Sequence, residues 1–189
     1  TRGEVVTAGA ASQVNLIHPD RSSADAVTAF RDADGNLKTI AWDISSKGQV
    51  TRRGDAVAGP VKEVTVTPFP NGKGVITLTR GLQNDLKLVA WEVTPSLNIV
   101  RRGDIEAGAI RDMAVTTTRT DFNGVVSATT SSDRTLKLIA WSFDSTAKTF
   151  SRRGDAEAGV IKGELNIVRA SISGADIVVT AFSHGDEIG

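Results

Sequence analysis

The stretch Arg53-Gly54-Asp55-Ala56-Val57-Ala58-Gly59 belongs to a unit that returns along the chain. Its triplet and its Ala-Gly pair recur together as Arg102-Gly103-Asp104 with Ala107-Gly108, and as Arg153-Gly154-Asp155 with Ala158-Gly159. A degenerate copy, Arg2-Gly3-Glu4 with Ala8-Gly9, precedes them. Self-similarity at a period of about 50 residues is typical of repeat architectures, in which each unit packs on the next.

The unit between the first two triplets predicts four strands. Glu63-Val64-Thr65-Val66-Thr67 alternates polar and β-branched residues, as a half-buried strand does. After a turn rich in Pro and Gly, Val75-Ile76-Thr77-Leu78-Thr79 is the second strand. The third, Leu86-Lys87-Leu88-Val89-Ala90-Trp91-Glu92-Val93, is apolar on both faces, which places it inside a sheet. Leu97-Asn98-Ile99-Val100-Arg101-Arg102 is the fourth and more polar strand, and it ends at the triplet.

The same strands recur in the other units, where Thr and Val dominate as β-structure prefers. The first strand returns at 14–17, 114–117 and 165–168, the second at 27–30, 125–128 and 178–182, and the third at 37–42 and 136–141. No stretch shows helical periodicity over more than about two turns. Four short antiparallel strands per unit indicate an all-β fold of four-stranded sheets that stack on one another.

An apolar third strand that ends in Trp and an acidic or polar residue resembles the repeat of Trp-Asp propellers. Trp42-Asp43 matches the dipeptide of that family, whereas Trp91-Glu92 and Trp141-Ser142 depart from it. The family's Gly-His element is missing, so its hydrogen-bond network is not carried over. The resemblance implies a β-propeller, or a propeller segment, of four-stranded antiparallel blades. It also implies a single repeat domain over 1–189, with units at 10–59, 60–108 and 109–159 and an incomplete unit formed by 160–189 plus 1–9.

The incomplete unit lacks an apolar third strand. Without one, the second strand at 178–182 would present open backbone groups, which invite pairing with another strand. We therefore expect another copy of the chain, or the remainder of a longer chain, to complete the ring. Closure of the chain on itself as an imperfect four-bladed ring is the remaining alternative.

Composition excludes several classes of function. The 22 basic and 22 acidic residues balance, which gives no reason to expect a nucleic-acid partner. No apolar run approaches the roughly 20 residues that cross a bilayer, so no membrane insertion is predicted. Cysteine is absent and there are two histidines, so disulfides are excluded and neither a metal nor a cofactor is predicted. Lack of cysteine and an N-terminal Thr1 fit an extracellular or periplasmic setting without requiring it.

Residues that recur in every unit are predicted to be structural, since catalysis breaks symmetry and scaffolds keep it. The Arg-Gly-Asp triplets predict a structural turn at the end of the outer strand, where Gly relaxes the backbone and Asp caps the loop amides. The tryptophans that end the third strands, Trp42, Trp91 and Trp141, are predicted to anchor the core between sheets.

The turns between the second and third strands carry the candidate ligand-binding residues. These turns are polar and occur once per unit, so together they would form a multivalent surface. The candidates are Asp34, Asn36, Asn84, Asp85, Asp133 and Arg134.

We therefore expect a non-catalytic binding or scaffold module that recognises a glycan or a protein through equivalent sites. No catalytic residue is assigned. The first alternative is a hydrolase or lyase with a site at the central channel, built from the non-repeated His18, His184, Asp186 and Glu187, an analogy that rests on fold alone. The second alternative is a structural repeat segment of a larger surface or secreted protein.

Overall fold

The computed structural model describes residues 5–19, 24–69, 72–118, 124–172 and 175–182. This part of the chain contains strands and no helix. The strands are β1 (Ala11–Ile17), β2 (Ala26–Asp32), β3 (Asn36–Ile44), β4 (Val50–Pro60), β5 (Glu63–Pro68), β6 (Gly74–Arg80), β7 (Asp85–Val93), β8 (Ile99–Ala109), β9 (Met113–Thr117), β10 (Gly124–Thr130), β11 (Thr135–Asp144), β12 (Thr149–Val160), β13 (Leu165–Ile172) and β14 (Ala175–Phe182).

The strands form antiparallel sheets whose order follows the chain. The first sheet is β1-β2-β3-β4, the second β5-β6-β7-β8 and the third β9-β10-β11-β12. Among the described residues, β13 and β14 pair only with each other and form a two-stranded sheet. The predicted all-β class, and its division into antiparallel four-stranded sheets, are therefore confirmed.

Each four-stranded sheet buries both faces of its second and third strands. One face, here called the tryptophan face, carries the Trp of the third strand, and the other is called the forward face. In the second sheet Val89 and Trp91 lie on the tryptophan face, and Leu88 and Ala90 lie on the forward face. Alternation along a strand produces these two faces, and β7 is apolar on both because a sheet packs on each side of it.

Successive sheets stack with the forward face of one against the tryptophan face of the next. Val27 and Leu37 of the first sheet share a buried cluster with Val75, Val89 and Trp91 of the second. A second buried cluster joins the next pair of sheets in the same way, through Ile76, Leu78, Leu88, Val125 and Trp141. The first strands lie side by side, β1 against β5, β5 against β9, and β9 against β13.

The Arg-Gly-Asp triplets lie inside the fourth strands, so the predicted turn is wrong. β4, β8 and β12 run through their triplets, and each ends at the residue directly after the Ala-Gly pair. In each sheet, the pairing between the third and fourth strands shifts register beside the Trp, in the first sheet between Ile40 and Trp42. This β-bulge accommodates the triplet in the fourth strand. Instead of capping a loop, each Asp side chain binds a Lys of the neighbouring third strand and an Arg of its own strand.

The two ends of the stack differ from its interior. On the tryptophan face of the first sheet, Phe30, Ile40 and Trp42 are buried with Ala8 of the preceding segment, while Leu16 is 68% exposed. On the forward face of the two-stranded sheet, Val168 and Val179 are exposed as well. Their counterparts in the interior sheets are packed against a neighbour, so within the described ranges the two end faces are the less covered ones.

No helix in the described part of the chain is long and apolar enough to cross a membrane.

Candidate functional site

A charged cluster recurs between the third and fourth strands of all three complete sheets. In the first sheet, the carboxylate of Asp55 forms salt bridges with Lys38 at 3.5 Å and with Arg52 at 3.1 Å. In the second sheet, Asp104 binds Lys87 at 3.3 Å and Arg101 at 2.6 Å. In the third sheet, Asp155 binds Lys137 at 3.1 Å and Arg152 at 2.6 Å. The Lys comes from the third strand and the Arg from three residues before the Asp, so the cluster is fixed by strand register.

A glutamate extends this cluster in the second and third sheets. Glu106 lies 2.5 Å from the Nζ atom of Lys87, and Glu157 lies 3.1 Å from that of Lys137. Val57 occupies the same register position in the first sheet, opposite Lys38. The glutamates are 61% and 62% exposed, so their carboxylates remain accessible to solvent.

These contacts shift the pKa values of the clustered groups. The hydrogen bond to Glu106 is the main cause that raises the pKa of Lys87, and hydrogen bonds to Asp155 and Glu157 raise that of Lys137. The hydrogen bond from Lys137 lowers the pKa of Asp155. Partial burial alone would raise the pKa of Asp104, but the hydrogen bonds from its Arg and Lys partners outweigh it and the pKa is lowered. Lys87, Asp104, Lys137 and Asp155 are therefore charged over a wide pH range.

The other two residues of the triplet also have partners inside the protein. Arg53 donates to Asp43 at 2.6 Å, and Arg102 donates to Glu92, in each case the residue after the Trp. Ser142 occupies that position in the third sheet. Gly54 donates its amide to the carbonyl oxygen of Leu97, in the turn between the third and fourth strands of the next sheet, at 3.1 Å.

Two clefts of the same construction lie between successive sheets. The first cleft, about 330 Å³, lies between the first and second sheets, and the second cleft, about 410 Å³, lies between the second and third. The preceding sheet contributes apolar residues to each: Leu37, Ala58 and Val61 to the first cleft, Leu86, Ala107 and Ile110 to the second. The Ala-Gly pair of the repeat therefore lines the cleft that precedes the next unit.

The following sheet contributes the polar wall of each cleft. Each residue of one wall has its counterpart in the other about 50 residues along the chain. The first cleft has Thr79, Lys87, Arg101 and Glu106, and the second has Thr129, Lys137, Arg152 and Glu157. Each cleft thus combines an apolar floor with at least one hydroxyl group, an ammonium group, a guanidinium group and a carboxylate.

The structure distributes the predicted loop residues over different surroundings. Asp85 lines the first cleft and Asp133 the second. Asn84 accepts a hydrogen bond from Lys62 at 2.8 Å, and with Arg111 it lines a pocket that adjoins the second cleft at Ile110 and Ser131. Arg134, like Asn84, adopts a positive φ in its turn, and its backbone amide donates to Ser131.

Asp34 lies in the β2–β3 turn and Asn36 begins β3, and their backbone amides donate to Oδ1 of Asp32 at 3.1 and 2.8 Å. Neither residue lines the two clefts. Of the six candidates predicted from the sequence, two therefore line the clefts, namely Asp85 and Asp133. The hydrogen bond from Ser131 lowers the pKa of Asp133, which keeps this carboxylate charged.

Sequence reasoning missed the cations and glutamates of the cleft walls, namely Lys87, Arg101, Glu106, Lys137, Arg152 and Glu157. The signal was present, because a Lys stands at the same position in each third strand and a Glu stands two residues after the Asp in two of the triplets. The Lys and Glu residues come together because the fourth strand continues past the triplet, so that Glu106 pairs with Lys87 and Glu157 with Lys137. The residue types alone do not predict this pairing.

The tryptophan rings are engaged inside the stack. The indole Nε1–H of Trp91 donates to Thr77, and that of Trp141 donates to Ser127, each at 2.9 Å. Both residues are 1% exposed, so their rings are not available to stack on a ligand. Trp42 makes the equivalent bond to Thr28, also at 2.9 Å.

Of the four residues proposed for a catalytic alternative, the structure describes His18 alone. The Nδ1 atom of His18 lies 2.7 Å from the carbonyl oxygen of Asp25, which satisfies this ring nitrogen. His184, Asp186 and Glu187 lie outside the described residues. Within the described ranges, no group of three or more His, Asp or Glu side chains is arranged to hold a metal ion.

No protein-family model matches this chain, and no curated protein sequence is significantly similar to it. The clefts are therefore interpreted from their own chemistry.

Proposed function

We propose that this chain is a non-catalytic binding module that recognises a glycan or a protein segment at equivalent clefts between successive sheets. The observation that carries this proposal is the recurrence of the first cleft as the second cleft, with matching Thr, Lys, Arg and Glu residues. A binding surface that repeats with the fold offers several copies of one weak site, and linked weak sites bind a multivalent ligand with high avidity.

The architecture that we propose for the module is a β-propeller or a propeller segment. Three features support it: four-stranded antiparallel sheets in chain order, forward faces against tryptophan faces, and first strands side by side. Radial stacking of such sheets around their first strands is how propeller blades protect their faces. Another copy of the chain, or the remainder of a longer one, is a proposed partner for the two-stranded sheet.

The chemistry of the clefts favours a neutral ligand that is rich in hydroxyl groups. Lys87 and Arg101 already bind Asp104, so the wall has little net charge with which to attract an ion. It offers both donors and acceptors of hydrogen bonds instead, beside an apolar floor. Such a mixture suits the polar and apolar faces of a sugar, and a few placed polar groups in an otherwise apolar cleft confer specificity.

The first experiment screens the intact chain on a glycan array and measures the stoichiometry of the best glycan by calorimetry. We expect two equivalent sites per chain in the two clefts. Glu106→Lys and Glu157→Lys each place a cation beside the wall Lys of one cleft, so each variant should retain one site, and the double variant should retain none.

Val57→Lys is the matched control, because Val57 has the same register position in the first sheet and lines neither cleft. It should retain two sites. An array without hits would contradict recognition of glycans, and a single site that survives both glutamate substitutions would contradict the clefts.

A further inference from the structure

A pocket with two arginines in its lining adjoins the second cleft, between the second and third sheets. It has a volume of about 340 Å³ and is called the arginine pocket below. Its polar lining consists of Arg80, Asn84, Arg111, Ser131 and Ser132. Among the described residues no carboxylate lines it, so the charged groups of its lining are both cations.

Arg80 has a hydrogen-bond donor that lacks an acceptor. Its Nη2 atom donates to Glu63, which does not line the pocket. Its Nε atom is buried and has no hydrogen-bond partner among the described residues. Arg31, the counterpart in the first sheet, donates its Nε–H to the carbonyl oxygen of Val61 at 2.9 Å. Because a buried N–H without an acceptor is unfavourable, an oxygen atom from a ligand would stabilise this arginine.

The guanidinium group of Arg111 is largely uncommitted. Its side chain is 47% exposed, and its Nε atom lies 3.7 Å from Asp112, which is beyond hydrogen-bond distance. The same carboxylate oxygen already accepts a hydrogen bond from Thr130 at 2.8 Å. A guanidinium group can present two parallel N–H donors to the oxygen atoms of a carboxylate, phosphate or sulfate. Arg111 is therefore available to bind an oxyanion.

The amide and hydroxyl groups of the lining add further donors. Lys62 can only donate, so the Oδ1 atom of Asn84 faces it at 2.8 Å. The Nδ2 atom of Asn84 makes no hydrogen bond among the described residues, so both of its N–H groups remain for a ligand. Ser132 is exposed and contributes a hydroxyl group, whereas the hydroxyl of Ser131 already donates to Asp133 in the second cleft.

The matching position between the first and second sheets lacks this set of donors. Gly35 stands there in place of Asn84, and Gly81 and Leu82 stand in place of the two serines. The Nε–H of Arg31 is bound to the backbone, as described above. The repeat by itself therefore does not produce the arginine pocket, although it produces the cleft beside it.

We propose that the arginine pocket binds an oxyanion, and that this anion is the carboxylate or sulfate group of an acidic sugar whose ring lies in the second cleft. Arg80, Arg111 and Asn84 donate to the oxygen atoms of the anion. Ile110 and Ser131 line both the pocket and the cleft, so one ligand can occupy the two together. The assignment to a sugar rests on the proposed function, whereas the binding of an oxyanion does not.

Titration of the intact chain with sodium sulfate at constant ionic strength tests the pocket without any glycan. We expect saturable shifts of the amide NMR signals of Asn84, Arg111 and Ser132, and no shift of Gly35. Arg111→Gln should weaken sulfate binding by about ten-fold or more, as the loss of a charged hydrogen bond does. Arg153→Gln is the matched control, because Arg153 is exposed and does not line the pocket, and it should leave sulfate binding unchanged.

Two results of the sulfate titration would overturn the proposal. Shifts that do not saturate would show that no site exists. Equal weakening by Arg111→Gln and Arg153→Gln would show that sulfate is attracted by the charge of the surface in general. Either result leaves the array experiment on the clefts unaffected, and an array without hits leaves the sulfate titration unaffected, so the two proposals fail separately.

Methyl glucuronide and methyl glucoside test whether the anion belongs to a sugar. The glucuronide should bind more tightly than sulfate or the glucoside, and it should shift the signals of Lys137 and Glu157 in the second cleft together with that of Arg111. Arg111→Gln should remove the preference for the glucuronide. A glucuronide that binds no more tightly than sulfate and leaves the cleft signals in place would overturn the assignment to a sugar and favour an inorganic anion.

Discussion

At the scale of single residues, the glycine of each Arg-Gly-Asp triplet is explained by the sheet that follows it. A Cβ atom on Gly54 would lie 2.5 Å from the carbonyl oxygen of Leu97, and one on Gly103 would lie 2.2 Å from that of Lys148. Leu97 and Lys148 occupy matching turns, each with a positive φ. A Cβ atom on Gly154 would meet nothing within 4 Å, since the sheet after the third has only two strands among the described residues and no such turn.

Alanine substitutions should therefore separate the three glycines. Gly54→Ala and Gly103→Ala force backbone atoms apart and should each lower the free energy of unfolding by about 1–3 kcal/mol, as overpacking does. Gly154→Ala is the matched control and should change it by less than about 0.5 kcal/mol. Urea unfolding monitored by tryptophan fluorescence gives the three values, and equal losses at all three positions would contradict the proposed contact between sheets.

The hydroxyl groups beneath the tryptophans make a second prediction at this scale. Thr77→Val and Ser127→Ala leave a buried indole N–H without its acceptor, which should cost about 1–3 kcal/mol of unfolding free energy. Thr28→Val should cost less, because Trp42 is 9% exposed and can reach water more easily than the other two. Chemical denaturation of the three variants provides the comparison. A loss at Thr28 as large as at Thr77 would argue against burial as the cause.

At the scale of elements, the third strands could be predicted and the fourth strands only in part. An apolar run such as 86–91 indicates an interior strand whatever surrounds it. The fourth strand continues through its triplet because Asp55 binds Lys38 across the sheet and Arg52 on its own strand, and a bulge absorbs the extra residue. The local residue types at Gly-Asp predict a turn. The cross-strand contact that keeps this segment in a strand joins Lys38 to Asp55, 17 residues along the chain, and a local pattern does not reveal it.

The charged clusters between these strands predict how stability depends on pH. Hydrogen bonds lower the pKa of Asp104 and Asp155 below the ordinary value of 3.8, so their contribution is present above that pH and is lost as the pH falls through the folded-state pKa. The pKa values of Lys87 and Lys137 are raised above 10.5, so their contribution is present below that pH and is lost as the pH rises through the folded-state value.

We therefore expect a melting temperature that is level between about pH 5 and pH 9 and falls on both sides. Asp104→Asn should reduce the acid loss, and Lys87→Met should reduce the alkaline loss, while both lower the plateau slightly. Calorimetric scans across the pH range measure this. A melting temperature that rises as the pH falls from 5 to 3 would contradict the assigned contacts.

At the scale of the whole molecule, the repeat predicts that sheets stack, but not where their clefts lie. Each cleft takes its floor from one unit and its wall from the next. In the first cleft, the floor residue Ala58 lies in β4 and the wall residue Lys87 lies in β7. The polarity of turn residues such as Asp34 predicts binding, but the stack leaves Asp34 outside both clefts. The candidate site therefore depends on packing between units, which no single unit encodes.

Amide NMR spectra of the chain test most directly whether the two clefts are equivalent binding sites. The chain is titrated with the best glycan from the array while the signals of Lys87, Glu106, Lys137 and Glu157 are followed. We predict that the first pair and the second pair shift in parallel, with similar apparent affinities. Shifts confined to one pair, or to turns outside the clefts such as that of Asp34, would contradict the claim.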